Sequence, residues 1–247
     1  MTIGGGIRVR GDGRAPAELR PVSVELDVQK WTTASCLIRV GGTHVLCAAT
    51  IEDRIPPHLR GKGVGWVTAE YAMLPGATSE RSPRESVKGR LGGRTHEIQR
   101  LIGRSLRGIV DTAALGERTV TLDCDVLQAD GGTRCASITG GWIALAIALR
   151  RAGYAQALRG HLAAVSVGIV EETLLLDLDY LEDSSAEVDF NVVATDAGTY
   201  VEVQGTAEGK AFHRSEMDRL LELADGGIRQ LFEAQRDAVA RATAERG

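Results

Sequence analysis

All the prolines of this 247-residue chain lie in its first third. The six are Pro16, Pro21, Pro56, Pro57, Pro75 and Pro83, and none follows residue 83. Proline lacks a backbone N–H and breaks the interior of helices and central strands. Long, uninterrupted elements are therefore permitted in the last two thirds of the chain.

Hydrophobic periodicity predicts strands and helices that alternate along the chain. Strands are expected over 22–28, 35–40, 44–51, 65–73, 118–127, 161–170, 173–179, 188–195 and 199–204. Helices are expected from 94, from 133 and from 215, the last opened by a capping box of Ser215 and Asp218. Since Gly41-Gly42 favours a hairpin, the chain should open as a β-meander. No long linker divides these elements, which indicates one α+β domain over residues 1–247.

The net charge of -4 excludes a uniformly basic nucleic-acid module. Charge is nevertheless unevenly distributed. Residues 81 to 107 hold eight Lys or Arg against two Glu, whereas residues 160 to 209 hold eleven Asp or Glu and no Lys or Arg. One basic zone and one acidic zone therefore share the chain, and each needs its own explanation.

Several site classes are disfavoured by what the sequence lacks. The four cysteines form no CxxC pair and have no histidine at zinc-ligand spacing. The longest apolar stretch, 138–149, is too short to span a bilayer, and residues 1–14 lack the apolar core of a signal peptide. Neither a complete P-loop nor a GxGxxG motif is present. We expect a soluble, reduced, cytoplasmic protein without membrane contact.

Two glycine-rich turns precede predicted helices. They are Gly92-Gly93-Arg94 and the run Asp130-Gly-Gly-Thr-Arg134. A helix N-terminus offers unpaired N–H groups, glycines let an anion approach the backbone, and arginine presents a planar fork to phosphate oxygens. Two such turns favour an oxyanion site, although each alone could be an ordinary turn into a helix.

The acidic segment, residues 176–191, is the third candidate. Asp183 and Asp189 stand at the two ends of a short polar link into an apolar strand, so their side chains could converge. Carboxylates are ligands for Mg²⁺ and can act as general acids when burial raises their pKa. The alternative is a solvated acidic edge.

The basic loop, residues 81–90, is the fourth candidate. Its four basic residues are Arg81, Arg84, Lys88 and Arg90. In a polar loop they suit contacts with a nucleic-acid phosphate backbone, which position RNA or DNA without reading its sequence. A solvent-exposed disordered loop is the alternative interpretation.

Together these segments resemble the ribonuclease PH family of phosphorolytic exoribonucleases, nearly from end to end. The run from Leu122 to Arg134 is the most specific, while Cys135 and Phe190 depart from the usual family residues. The segments that carry the resemblance are Arg10-Gly-Asp-Gly-Arg14, Glu18-Leu-Arg-Pro21, Gly65-Trp-Val-Thr-Ala-Glu-Tyr71, Gly92-Gly-Arg-Thr95, Glu97-Ile-Gln-Arg-Leu-Ile102, Leu122-Asp-Cys-Asp-Val-Leu-Gln-Ala-Asp-Gly-Gly-Thr-Arg134, Asp179-Tyr-Leu-Glu-Asp183 and Val203-Gln-Gly-Thr-Ala-Glu-Gly209.

The resemblance implies a fold and a reaction. The fold would be a β-α-β domain related to the second domain of ribosomal protein S5, assembled as a homohexameric ring, a trimer of dimers. In the reaction, inorganic phosphate attacks the 3′-terminal phosphodiester of RNA and releases a nucleoside 5′-diphosphate. The substrates would be transfer-RNA precursors extended beyond CCA, with ribosomal RNA processing also open, and the reverse reaction would extend RNA 3′ ends.

The resemblance also implies roles for individual residues. Arg94, Gly132, Thr133 and Arg134 would hold phosphate. Of Asp183 and Asp189, one would bind Mg²⁺ and the other would assist proton transfer to the leaving 3′ oxygen, and which residue has which role stays open. Arg81, Arg84, Lys88 and Arg90 would hold the body of the transfer RNA. The rival hypotheses are a non-catalytic RNA-binding ring subunit of an exosome-like assembly and a hydrolytic nuclease.

Overall fold

A computed structural model describes residues 10–244, apart from the side chain of Lys88. The first nine and last three residues of the predicted 1–247 domain lie outside the described residues. The strands are β1 (Val22–Leu26), β2 (Ala34–Val40), β3 (Thr43–Glu52), β4 (Trp66–Met73), β5 (Thr119–Gln128), β6 (Leu162–Val170), β7 (Thr173–Leu176), β8 (Val188–Thr195) and β9 (Tyr200–Ala207). The helices are α1 (Gly93–Gly108), α2 (Thr112–Leu115), α3 (Thr133–Arg151), α4 (Tyr180–Ser185) and α5 (Arg214–Ala244).

The first sheet has the strand order β1-β2-β3-β5-β4. Its first three strands form the predicted antiparallel meander. β4 runs parallel to β5, and α1 lies in the connection between them, because parallel neighbours require a crossover. This β-α-β unit brings α1 against β4 and α3.

The second sheet has the order β7-β6-β8-β9 and is antiparallel throughout. α5 packs on one face of this sheet, where Val165, Val192 and Phe232 belong to one apolar cluster. α3 packs between the other face of the second sheet and β2 and β3 of the first. The mixed α+β fold that the periodicity predicted is confirmed.

α3 is buried on every side. Of its residues from Thr133 to Leu149, only Arg134 is not buried. A helix enclosed between two sheets has no solvent face, and its sequence is correspondingly apolar all round. Gly140 permits the close approach, since a Cβ there would lie 2.6 Å from Cγ2 of Ile38 and 2.8 Å from Sγ of Cys47.

Two local predictions are wrong. The strand expected over 173–179 ends at Leu176, because Asp177 adopts a left-handed conformation with φ of 54° and the chain then enters α4. The capping box expected from Ser215 and Asp218 does not open α5. That helix begins one residue earlier, and the Glu216 carboxylate instead accepts a hydrogen bond from the His213 N–H at 2.6 Å.

The described residues also bear on the other site classes. All four cysteines are buried free thiols. Between residues 10 and 244, no three or more His, Cys, Asp and Glu side chains are grouped to hold a metal ion. Over the same range, no helix combines the length and apolarity needed to cross a membrane.

Candidate active site

A polar cavity of about 410 Å³ opens where the N-terminus of α3 meets the second sheet. The structure brings to its wall every residue that was predicted to hold phosphate or metal: Arg94, Gly132, Thr133, Arg134, Asp183 and Asp189. The rest of the lining was not predicted from the sequence. It consists of Ser166, Ser184, Asn191, Gln204, Thr206 and Glu208. These groups come from α1, α3, α4 and three strands, so the cavity exists only in the folded chain.

The glycine turn, residues 129–132, joins β5 to α3. Gly131 and Gly132 both adopt left-handed conformations, with φ of 75° and 64°. A Cβ on Gly131 would lie 2.5 Å from the carbonyl oxygen of Leu178, so glycine lets this turn lie directly against the acidic segment. Gly132 is the N-cap of α3 and offers no capping side chain, which leaves the first N–H groups of the helix for an oxyanion.

Thr133 and Arg134 follow on the first turn of α3. The Tyr71 hydroxyl donates a hydrogen bond to Oγ1 of Thr133 at 3.0 Å, so the Thr133 hydroxyl can donate its own proton elsewhere. Nη1 of Arg134 donates to Oε1 of Gln204 at 2.6 Å, and Nε2 of Gln204 donates to Oε1 of Glu97 at 2.9 Å. Gln204 on β9 therefore fixes one edge of the Arg134 guanidinium group.

The predicted anion site at Gly92-Gly93 is not realised. The Glu85 carboxylate accepts hydrogen bonds from the Gly92 N–H at 3.1 Å and from the Thr95 hydroxyl at 2.9 Å. The Glu85 carboxylate therefore lies beside the N-terminus of α1, where the helix dipole favours a negative charge. Of that predicted turn, only Arg94 lines the cavity.

Asp183 on α4 and Asp189 on β8 converge on the cavity from the two ends of the polar link. Burial raises the pKa of Asp183, an effect that the nearby Arg94 and Arg134 oppose. Burial also raises the pKa of Asp189, and the negative charges of Asp183 and Glu208 raise it further. The carboxylates are therefore poised to bind a cation or a proton, and the interpretation as a solvated edge is disfavoured.

The donor set suits Mg²⁺. This ion prefers oxygen ligands and is usually held by one or two carboxylates, with waters and substrate phosphate oxygens completing the octahedron. Asp183 and Asp189 supply two such carboxylates at one wall, and Glu208 lies beside them.

Arg10, a buried arginine early in the sequence, holds the acidic segment in place. Nε of Arg10 donates to Oε1 of Glu182 at 2.7 Å, while its Nη1 and Nη2 donate to the carbonyl oxygens of Leu176 and Asp177. Asp179 and Glu182 form a capping box at the start of α4. Glu182 is the immediate neighbour of Asp183, so these contacts set the position of that carboxylate.

The basic loop lies outside the cavity. Arg81, Arg84 and Arg90 are exposed, and residues Glu85–Lys88 form a 3-10 turn. The predicted role of the Lys88 side chain falls outside the described residues. The exposed arginines are available to a large polyanion, which the cavity alone could not enclose.

The alternation of side chains along β8 and β9 indicates several of the cavity residues that were not predicted. Asn191 pairs with Gln204, and Asp189 pairs with Thr206, so these side chains share one face of the second sheet. Alternation from Asp189 selects Asn191, and alternation from Glu208 selects Thr206 and Gln204. Only the pairing of β8 with β9 shows that both rows border the same cavity.

Comparisons with solved structures agree with the fold described above. A structure of rice (Oryza sativa) Rrp46 has a TM-score of 0.77 and 18% identity, over 93% of this chain and 100% of that chain. A chain of the Archaeoglobus fulgidus exosome, solved with RNA bound to the active site, has a TM-score of 0.75 and 22% identity, over 91% of each chain. Likenesses at this identity show the fold.

The family is shown by the sequence models. Residues 18–150 match the model described as the 3′ exoribonuclease family, domain 1, and residues 160–227 match domain 2 of the same family. The boundary between the two models falls between α3 and β6, which are in contact. The chain therefore belongs to the 3′ exoribonuclease family of the ribonuclease PH type, as its sequence motifs predicted.

Proposed function

We propose that this protein is a phosphorolytic 3′–5′ exoribonuclease that removes nucleotides beyond the 3′ CCA end of transfer-RNA precursors. One observation carries the proposal. Arg94, Thr133, Arg134, Asp183 and Asp189 line a single polar cavity in a chain of the 3′ exoribonuclease family. Such a site combines anion holders with carboxylates, and phosphorolysis needs both.

The anion holders solve the main difficulty of the reaction. Inorganic phosphate is an anion and must approach the phosphodiester of a polyanion, so fixed positive groups are needed to offset the repulsion. Arg134 and Arg94 supply charge, while the Thr133 hydroxyl and the N–H groups at the start of α3 supply donors. Gln204 holds Arg134 in place before phosphate arrives.

The carboxylates act on the leaving group of the reaction. A phosphate oxygen forms a bond to the terminal phosphorus, and the bond from that phosphorus to the 3′ oxygen of the preceding nucleotide breaks. The 3′ oxygen takes up a proton, which the protonated form of Asp183 or Asp189 can donate because the pKa of each is raised. The other carboxylate of the pair, in its ionised form, would hold Mg²⁺, which would neutralise charge on the phosphoryl oxygens. In reverse, a nucleoside diphosphate extends the RNA 3′ end.

The exposed arginines of the basic loop would hold the body of the RNA, which the cavity cannot contain. We also propose a homohexameric ring, a trimer of dimers, in the cytoplasm. The ring is supported by the similarity to a chain of the Archaeoglobus fulgidus exosome, and the location by the buried free thiols. Ribosomal RNA precursors are further proposed substrates.

A non-catalytic ring subunit is the rival hypothesis, and the structural similarity to rice Rrp46 does not decide between the two. The cavity favours the enzyme, because arginines and carboxylates of the required kinds face one another across a space of about 410 Å³. A scaffold would have no need of this arrangement.

The test is an assay of the full chain on a 3′-extended transfer RNA with Mg²⁺, with and without inorganic phosphate. Nucleoside 5′-diphosphates that appear only when phosphate is present would support the proposal. Nucleoside monophosphates released without phosphate would point to hydrolysis and contradict it. RNA binding without any release of nucleotides would favour the scaffold.

A further inference from the structure

Arg20 lies between the glycine turn and the acidic segment, which form two sides of the cavity, but Arg20 does not line the cavity itself. The residue is buried, with 4% of its surface exposed. On one side it contacts the glycine turn, and on the other it contacts the acidic segment. No other described arginine forms hydrogen bonds to both.

On the side of the glycine turn, Nη1 of Arg20 donates to the carbonyl oxygen of Asp130, and Nη2 donates to that of Gly131 at 3.5 Å. The Thr43 hydroxyl also donates to the Gly131 carbonyl, at 2.6 Å. In a trans peptide the C=O and the following N–H point in opposite directions. Anchoring these carbonyls therefore turns the N–H groups of Gly131 and Gly132 away from Arg20, and Gly132 lines the cavity.

On the side of the acidic segment, Arg20 grips the carboxylate of Asp177. Nε donates to Oδ2 at 2.9 Å and Nη2 donates to Oδ1 at 2.7 Å, while the backbone N–H of Arg20 also donates to Oδ2. This bidentate pair is buried on both partners. Asp177 is only a short link away from α4, the helix that carries Asp183.

A planar guanidinium group can hold both halves at once. Its five donors lie in one rigid fork, so carbonyls on one edge and a carboxylate on the other are kept at a fixed separation. A lysine ammonium retains the charge and can pair with Asp177, but it cannot span the same set of acceptors in that geometry. Arginine therefore differs from lysine at this position because it can bind the glycine turn and the acidic segment at the same time, and not because of its charge.

We propose that Arg20 is a positioning residue for inorganic phosphate, which sets the N–H groups before α3 at the correct distance from the Asp183 and Asp189 carboxylates. The inference rests on the proposed phosphorolytic function. Arg20 acts through the glycine turn and touches neither phosphate nor RNA. Its loss should therefore appear in phosphate affinity rather than in RNA affinity.

The experiment compares Arg20→Lys with Arg151→Lys in the full chain. Arg151 is a matched control, since its side chain is only 13% exposed and donates to both carboxylate oxygens of Asp27 and to the carbonyl oxygen of Thr33, at the end of α3 away from the cavity. For Arg20→Lys the KM for phosphate should rise by about tenfold or more, because displacements of an ångström at a site are costly, while the Kd for RNA stays unchanged. For Arg151→Lys the KM for phosphate should stay close to the wild-type value.

An unchanged KM for phosphate in a folded, active Arg20→Lys variant would overturn the inference. Equal rises in both variants would also overturn it, since they would show a general loss of stability. If Arg20→Lys does not fold, Asp177→Asn replaces it with the same expected rise, because the amide cannot accept at both positions of the fork.

A second readout separates this inference from the proposed function. Binding of radiolabelled inorganic phosphate is measured by equilibrium dialysis, without RNA. If wild type binds phosphate but releases no diphosphate from RNA, the proposed function fails while the role of Arg20 is still tested by this affinity. Weaker phosphate binding by Arg20→Lys than by Arg151→Lys supports the inference, and equal binding overturns it.

Discussion

At the scale of single residues, side chains at the cavity are held by partners from distant parts of the chain. Arg134 is fixed by Gln204, which in turn donates to Glu97 on α1. Thr133 is held by Tyr71 on β4. These partners come from different elements, so the Thr133 and Arg134 side chains are oriented by tertiary structure rather than by their neighbours in sequence.

Replacing Arg134 should remove most phosphorolysis. Without its guanidinium, one fixed positive group facing the attacking phosphate is lost, and Arg134→Ala should lower kcat/KM by about 10²–10³-fold, as for other preorganised donors. RNA binding, measured by fluorescence anisotropy, should change little. The matched control is Arg150→Ala, an exposed arginine at the other end of α3. Loss of RNA binding to the same degree would show that Arg134 has another role.

Replacing Asp183 should stabilise the metal-free protein at neutral pH. Because burial raises the pKa of this carboxyl, the native state binds its proton more readily than the unfolded state does. Stability is therefore lost as pH rises from the unfolded pKa, about 3.9, through the raised native pKa. The asparagine side chain of Asp183→Asn does not ionise, so this variant does not lose stability in this way as pH rises.

Urea unfolding in EDTA measures the effect across pH. The midpoint of Asp183→Asn should exceed that of wild type at pH 7, and the difference should shrink as pH falls toward 3.5. Asp237→Asn, at an exposed position on α5, serves as the control. A variant that is less stable than wild type at pH 7 would contradict the expected sign.

At the scale of elements, the first half of β8 places alternate side chains in the cavity and in the core. Phe190 lies between two cavity residues but points to the opposite face, where its ring packs edge to face on Phe212 at 5.1 Å. Gly205 is its cross-strand partner, and a Cβ there would lie 2.5 Å from the Phe190 ring. The small residue on β9 makes room for the large one on β8.

Gly205→Ala should therefore destabilise the fold. The added methyl forces the Phe190 ring or a strand to shift, and overpacking of this kind costs about 1–3 kcal/mol of unfolding free energy. Chemical denaturation followed by circular dichroism measures it. Gly209→Ala is the control, since nothing lies within 4 Å of a Cβ at that position. Equal midpoints for the two variants would show that the strands yield without cost.

Elements with a strong local pattern could be predicted from the sequence, whereas those set by tertiary contacts could not. The meander, α1 and α3 follow from apolar periodicity and glycine turns. The short helix α4 has no apolar stripe, and its start depends on Asp177, which Arg20 holds in a turn. Likewise, the glycines before α1 matched an anion site, but Glu85 from the basic loop occupies that N-terminus.

At the scale of the whole molecule, the two charged zones meet at one place. Arg94 comes from the basic zone and Asp183, Asp189 and Glu208 from the acidic zone, and all four line the same cavity. The sequence showed both zones and named the principal residues of each. That the zones share one cavity depends on α1 and the second sheet lying on either side of α3, which no local pattern shows.

The basic loop should contribute RNA affinity that depends on salt. Arg81→Ala combined with Arg84→Ala removes two exposed charges outside the cavity, so RNA binding should weaken. The slope of log K against log salt should become shallower by about 0.7 for each RNA phosphate that the protein no longer neutralises. The KM for phosphate should not change. Filter binding over a salt series measures the slope, and an unchanged slope would remove this loop from the RNA interface.

The enclosure of α3 between two sheets has a consequence for how phosphate binds. Because sixteen of its first seventeen residues are buried, the end of the helix that faces the cavity cannot fray or tilt independently of the core. The donors there are already immobile in the free protein, so binding carries no entropy penalty for ordering them. Phosphate should therefore bind to a preorganised site in a single fast step, without a slower rearrangement of the protein afterwards.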